Sequence, residues 1–252
     1  MQKEIPLLAM KNIHKFYGRV HALKGIDFDV YKGEVVGLIG DNGAGKSTLI
    51  KIISGVVPKD SGKIFWEGKE VEIRSVKDAR SLGIETVFQE QALIEIFSIG
   101  KNAFLGREPL KRLGPIKVVD YNCINNRTLE VLRELKLKVL PTQELRFCSG
   151  GEKQGVAIAR AMLFKSKLVI LDEPTRGLSV AGVEQVLDFI RKLKANGISC
   201  IFITHNFYHV YPVADRIVVL VGGVKILDEE KSKLTIEKLE NIVIEASRKA
   251  EV

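Results

Sequence analysis

Two stretches carry residue types that handle phosphate. GDNGAGKST at 40–48 fits the spacing G-x-x-x-x-G-K-[ST]. Glycines at Gly40, Gly43 and Gly45 let the backbone N–H groups of Asp41, Asn42 and Ala44 turn inward on an anion, and a helix opening at Lys46 adds partial positive charge. Lys46 is placed to reach β- and γ-phosphates, and the hydroxyl of Ser47, followed by Thr48, to ligate magnesium. The second stretch, LVILDE at 168–173, sets Asp172 and Glu173 behind four apolar residues, at the end of a buried strand. An aspartate there holds magnesium through water, which leaves the adjacent glutamate to act as base on an attacking water.

A third stretch, FCSGGEKQG at 147–155, fits two readings. Ser149 followed three residues later by Glu152 is a capping box at the start of a helix. Ser149, Gly150 and Gly151 also combine a hydroxyl, free N–H groups and a helix dipole, which is a second anion site. Local sequence does not choose between them. Three single residues are equally open on their own. Gln89, in TVFQE, follows a predicted strand and also reads as an ordinary exposed glutamine. His205 ends the apolar run SCIFITH at a strand tip, where a lone histidine reads first as structural. Tyr17, in KFYGR, is either a surface aromatic or a platform for a base.

Elements must bring these groups together. HALKGIDFDV alternates as a strand does, and EVVGLIG at 34–40 is a short apolar run closing on glycine. KSTLIKIISGVV has helical apolar spacing that stops at Gly55, and SGKIFWEGKEVEI reads as a hairpin turning near Glu67-Gly68. From about 93 to 165 the pattern is mainly helical. Three Ile/Val/Leu-rich runs follow, at 167–173, 199–205 and 215–221, with a helix over VEQVLDFIRKLKANG between the first two. Strand, helix, strand in that order predicts a mostly parallel sheet covered on both faces. The tail, LTIEKLENIVIEASRKAEV, reads as an amphipathic helix with a charged end.

Composition bounds the class. With 252 residues, 46% of them hydrophobic, the chain can bury a large core. Its 39 basic against 31 acidic residues give +8, an excess that fits nucleic acid, a membrane surface or a phosphate-rich ligand; no stretch concentrates the charge, so the first reading is a Lys-rich solvated surface. Three cysteines, at 123, 148 and 200, form no cluster with histidine, which argues against a zinc module and for a reducing compartment. The first apolar run, in MQKEIPLLAMKN, is too short for a signal peptide, and IVVLVGGV at 217–224 is too short to cross a bilayer. The expectation is a cytoplasmic chain whose membrane role, if it has one, runs through a partner.

KFYG, GDNGAGKST, VFQE, CSGGEKQ, LVILDEP and ITH, in that order, resemble the motif series of ATP-binding-cassette (ABC) ATPases, over about residues 7 to 230. The resemblance implies an α/β fold: a P-loop ATPase core with a mostly parallel sheet, an N-terminal antiparallel β subdomain and an inserted helical subdomain. On this reading residues 1–235 form one ATPase domain, with the helical subdomain at about 93–165, and 236–252 form a helical tail. The family packs two subunits head to tail, with ATP between the P-loop of one and the serine-glycine-glycine signature of the other. The implied roles are then adenine stacking for Tyr17 and a phosphate cradle for Gly40 to Thr48. Gln89 would touch magnesium and the attacking water and link the site to a transmembrane partner. Asp172 would hold Mg2+, Glu173 would be the base, His205 would clasp the γ-phosphate, and Ser149, Gly150, Gly151 and Glu152 would meet the partner's ATP.

Departures from the family pattern are Cys148 for leucine, Glu152 for glutamine and, after the base, Ser179 for the usual aspartate. Serine cannot carry that charge, so weakened communication or a compensated interface is expected there. GIETVFQEQALIEIFSIGKNAFLGRE and EPTRGLSV are similar to the monosaccharide-importer branch, which serves pentoses and related hexoses. That implies a homodimer, a separate transmembrane permease, an extracytoplasmic solute-binding protein acting indirectly, no nucleic acid, and a peripheral place on the cytoplasmic face of the cell membrane. The alternatives are a nucleoside, amino-acid or lipid transporter, and a soluble ABC ATPase of translation or DNA repair.

Overall fold

The computed structural model describes residues 5–88 and 93–250. The chain opens with two long strands, β1 (Leu8–Tyr17) and β2 (Val20–Val30), then β3 (Val35–Ile39), which feeds α1 (Lys46–Ile53). The hairpin β4 (Ser61–Trp66) and β5 (Lys69–Val71) precedes α2 (Val76–Leu82) and β6 (Ile84–Val87). The middle holds α3 (Ile99–Phe104), the hairpin β7 (Leu110–Leu113) and β8 (Ile116–Val119), α4 (Tyr121–Glu134) and α5 (Gly150–Leu163). Then come β9 (Leu168–Asp172), α6 (Val180–Ala195), β10 (Ser199–Ile203), the single turn α7 (Phe207–Val210), β11 (Arg216–Val221), β12 (Val224–Glu230) and α8 (Ile236–Ala250). The hairpin β7–β8 interrupts a stretch whose sequence reads as helical, and its Gly114-Pro115 turn is the signal for it.

Six strands form the central sheet in the order β12-β11-β3-β10-β9-β6, parallel throughout except for β12, which returns antiparallel beside β11. β3 and β10 are buried along their whole length, as is β9 up to Asp172, which explains their unbroken apolar runs. Alternation still sorts their side chains. Val35, Ile39, Cys200 and Phe202 face a core shared with α5, α6 and α8, whereas Val36, Leu38, Ile201 and Ile203 face α1 and the antiparallel sheet β2-β1-β4-β5. In register, Ile203 lies beside Leu38 on one flank and Asp172 on the other. The carboxyl ends of β3, β10 and β9 therefore finish level, and the three loops that leave them converge.

Two buried ion clusters tie the layers together. Arg216 on β11 donates to Glu34 at 2.6 and 3.0 Å, to Asp228 on β12 at 2.5 Å, and to the Asp29 carbonyl on β2 at 2.6 Å. Burial alone would weaken the charge, but the two carboxylates hold this guanidinium firmly protonated. On β6, Glu85 is 4% exposed and accepts from Arg107 at 2.5 Å, with Arg80 of α2 at 3.6 Å. That pair anchors the segment after α3 to the edge of the central sheet. Among the described residues no helix is long and apolar enough to cross a membrane.

Candidate phosphate-binding and hydrolytic site

The loop between β3 and α1 exists because two of its residues lack side chains. Gly40 has φ 152°, and a Cβ there would sit 2.2 Å from the Leu220 carbonyl oxygen. Gly45 has φ 98°, and its Cβ would lie 2.8 Å from the carbonyl oxygen of Ala22 on β2. Gly45 also precedes α1 without any side-chain cap, so the first N–H groups of the helix are free to meet an anion. Lys46 is 8% exposed, and its Nζ donates to the carbonyls of Gly40 at 2.6 Å and Asp41 at 2.9 Å. Burial pushes the Lys46 pKa down, while Glu173, Asp172 and Asp41 oppose the shift. The lysine thus rests on the loop's own oxygens.

Opposite the loop, β9 delivers the two carboxylates. Glu173 sits at φ 50°, a left-handed conformation that costs a glutamate about 1–3 kcal/mol and persists only where surroundings enforce it. They do so from both ends. Its N–H donates to the Ile203 carbonyl at 3.0 Å, while Oε2 accepts from Thr204 Oγ1 at 3.3 Å and Oε1 meets His205 Nδ1 at 2.8 Å. Because an ionised carboxylate only accepts, Nδ1 must carry the proton, which leaves His205 Nε2 for another partner. Burial, and then the neighbouring Glu173, push the carboxyl of Asp172 above the usual range.

A second chain of bonds fixes the loops behind these groups. The Asn206 amide donates to His209 Nε2 at 3.2 Å, so His209 Nδ1 donates to Thr175 Oγ1 at 2.9 Å. Burial, and then the nearby His205, push the His209 pKa down, which favours this neutral form. The loop after Glu173 and the loop after β10 are thereby fastened to each other.

Between the phosphate loop and the carboxylates lies a pocket of about 410 Å³ lined by Asp41, Asn42, Lys46, Ser47, Asp172, Glu173, Arg176 and His205. Seven of these eight are residues singled out from sequence; Arg176 is not, although it lies in the same EPTRG loop. Thr204 and His209 also escaped sequence reasoning. Their one signal was position, since both flank the strand tip that ends in His205. A cavity of about 470 Å³ elsewhere, lined in part by Met162, Ile198 and the Lys167–Glu67 ion pair, offers no comparable set of groups.

Other sequence candidates lie apart from this pocket. Tyr17 is half-exposed at the end of β1, with Lys15 Nζ 5.7 Å from its ring centre, on the hairpin whose Ala22 abuts Gly45. Gln89 falls outside the described residues. Ser149 caps α5 in a complete capping box: Ser149 Oγ accepts from the Glu152 N–H at 3.3 Å, and Glu152 accepts from the Ser149 N–H at 2.7 Å. Gly150 and Gly151 form the first turn of α5, and none of the four residues 149–152 lines the pocket. Ser179 caps α6, its hydroxyl accepting from the Gly182 N–H at 3.3 Å.

The chain can be placed among known proteins on this geometry. Residues 23–176 match the ABC transporter family. A xylose/arabinose import ATP-binding protein of Sulfolobus acidocaldarius is 42% identical over 94% of the chain and 93% of its own length. A fructose import ATP-binding protein of Rhizobium meliloti is 45% identical over 84% of each. Among solved structures, an ATP-binding cassette of an ABC transporter in its ADP conformation superposes with a TM-score of 0.81 at 27% identity, covering 95% of both chains. A dimeric cassette in a post-hydrolysis state, bound to ADP and Pi, gives 0.74 at 25% identity over 89% of this chain and 98% of that one. Level strand ends, a glycine-shaped phosphate loop and a constrained Asp-Glu pair thus come with this family's sequence along nearly the whole chain, which belongs to the ATP-binding cassettes of the ABC transporter family.

Proposed function

We propose that the chain is the ATP-hydrolysing subunit of a monosaccharide importer, working as a pair of identical chains beneath a separate transmembrane permease. The observation that carries the hydrolytic part is Glu173, held at positive φ by Thr204 and His205 in the pocket that Lys46 also lines. The likeness to xylose/arabinose and fructose import proteins supports a monosaccharide cargo. Sugar would be met by the permease and an extracytoplasmic binding protein, with this chain on the cytoplasmic face of the membrane.

In this reading the loop N–H groups and Lys46 bind the β- and γ-phosphates, and Tyr17 stacks on the adenine. Glu173 takes the proton of the water that attacks the γ-phosphorus, a role worth about 10²–10⁴ in rate. His205 holds Glu173 through Nδ1 and presents Nε2 toward the phosphate. Ser47 and Asp172 line one pocket with oxygen donors, and Asp172 beside Glu173 is a partly buried pair of carboxylates that a divalent cation would relieve. This donor set fits Mg2+, which prefers one or two protein oxygens together with phosphates and water. Bound there, the ion would neutralise phosphate charge. The Ser149 end of α5, outside the pocket of its own chain, serves the ATP of the second subunit, as the dimeric state of a related cassette supports.

Asp172→Asn separates the charge from the fold. The Asp172 carboxyl is held above its ordinary value in the folded chain, so it contributes stability only below the unfolded value and loses it as pH rises through the folded one. Above that folded value the metal-free protein carries the cost. The variant is therefore expected to melt at a higher temperature than the parent without nucleotide, while losing Mg2+-dependent hydrolysis by at least about 10²-fold. Thermal melts and a phosphate-release assay check the two halves.

Co-expression with candidate permeases tests the whole reading. Stable assembly, with hydrolysis stimulated by a monosaccharide and its binding protein, is the expected result. Assembly with no permease, together with stimulation by ribosomes or DNA, overturns it.

A further inference from the structure

The hairpin β7–β8 is a two-stranded sheet of its own, hydrogen-bonded to neither of the other sheets. Such a ribbon is marginally stable in water unless something covers it. Its root is closed by the Asp120 N–H donating to the Pro109 carbonyl at 2.8 Å, and its tip is the turn Leu113-Gly114-Pro115-Ile116. Every residue from 110 to 117 is exposed, with Leu110 at 59%, Leu113 at 69% and Ile116 at 64%. Leu113 and Ile116 face each other across the ribbon, so the end of the hairpin is an apolar point.

Directly behind that point, Arg112 pairs across the ribbon with Lys117, and Lys111 follows one step further back. Like charges set directly opposite one another destabilise a hairpin in water. No acidic residue occurs between 110 and 119, and at the root Asp120 forms a long, half-exposed ion pair with Lys111 at 3.8 Å, which a lipid phosphate would have to displace. Arg107 does not add to this set, because it is taken by Glu85. An apolar tip behind which two cations oppose each other is complementary to a surface that offers hydrocarbon below a layer of negative charge. A protein partner is less well matched, since the hairpin shows neither an aromatic anchor nor side-chain hydroxyls or amides to set a specific register.

We propose that the β7–β8 hairpin is a membrane-surface contact, with Leu113, Pro115 and Ile116 entering the headgroup boundary of an anionic bilayer while Arg112, Lys117 and Lys111 bind lipid phosphates. The lipid would sit between the two opposed cations and remove their repulsion, and the bilayer would cover a strand pair that, among the described residues, no other sheet supports. The contact goes beyond the import reading, to which it adds a second hold on the membrane besides the permease.

The test uses the purified full chain alone, so that its failure is distinct from a failed permease assembly. Co-sedimentation is measured with phosphatidylcholine vesicles with and without phosphatidylglycerol. Parent protein is expected to bind the anionic vesicles, and less so as salt is raised. The triple variant Lys111→Gln/Arg112→Gln/Lys117→Gln is expected to bind them about 100-fold more weakly. Leu113→Ser/Ile116→Ser is expected to bind about tenfold more weakly with the salt dependence kept. Unchanged ATP hydrolysis in solution shows that both variants fold. Equal binding to the two vesicle types, or variants that bind as the parent does, overturns the proposal. So does loss of permease assembly in detergent by hairpin variants whose vesicle binding is intact, which would make the hairpin a protein contact.

Discussion

Glu173→Gln is expected to hydrolyse ATP about 10³-fold more slowly than the parent and to elute from gel filtration as an ATP-bound dimer. The substitution keeps the size of the side chain and its place at φ 50°, since glutamine is no more strained there than glutamate. It removes the only property a base needs, the lone pair of an ionised carboxylate. It also removes a negative charge beside Asp172, so nucleotide binding is preserved or strengthened while the proton of the attacking water has nowhere to go. The ATP that closes two chains on each other is then not consumed, and the closed pair accumulates. A variant that stays monomeric with ATP and turns over at the parental rate would show that another group is the base.

Half of that proposal is legible in the sequence. The pattern at 40–48 and the apolar run before Asp172 and Glu173 point to the proposed chemistry, because spacing and burial are properties of neighbouring residues. What holds Glu173 in place comes from the end of β10 and the two residues after it, some thirty residues on, and no local pattern reports that Thr204 and His205 close on it from opposite oxygens. Nor does sequence show that Lys46 rests on the carbonyls of Gly40 and Asp41. The parallel sheet was readable for the same reason the phosphate loop was: β3 and β10 are buried on both faces and so are written as continuous apolar runs. The hairpin β7–β8 was not, because its strands have four residues each and its side chains answer to no core.

Ser149 and Ser179 show where the limit lies. For Ser149 both sequence readings concern real atoms: the capping box is complete, and the same first turn of α5 is what the dimer reading offers to a second chain's nucleotide. At Ser179 a hydroxyl suffices to cap α6, so the loss of the usual aspartate leaves the helix start intact.

The unit of function can be tested by damaging its two halves on different molecules. Lys46→Ala strips the phosphate loop of its cation but leaves the helix, since the ammonium bonds to the loop carbonyls of Gly40 and Asp41 rather than to α1, and alanine favours helix. Gly151→Asp puts a negative charge where the signature would meet a γ-phosphate. The helix dipole favours an aspartate in the first turn of α5; Gly151 is buried, its Cβ would lie 2.5 Å from the movable end of Gln185 and 3.4 Å from the Gly182 Cα, and a thermal melt of the variant checks that it still folds. Each variant alone is expected to lose about 10³-fold in hydrolysis, at the upper end of what one oxyanion-binding group is worth. Co-expressed with different tags and isolated as the mixed pair, they are expected to recover roughly half of the parental rate, if the two sites of a two-fold pair fire independently. One site then joins the intact phosphate loop of one chain to the intact signature of the other, while both defects fall together in the second site. Recovery cannot arise if each chain hydrolyses with its own residues alone, because neither chain then holds a complete set. A mixed pair as inactive as its components would place the Ser149 loop outside the reaction and return it to its role as the cap of α5.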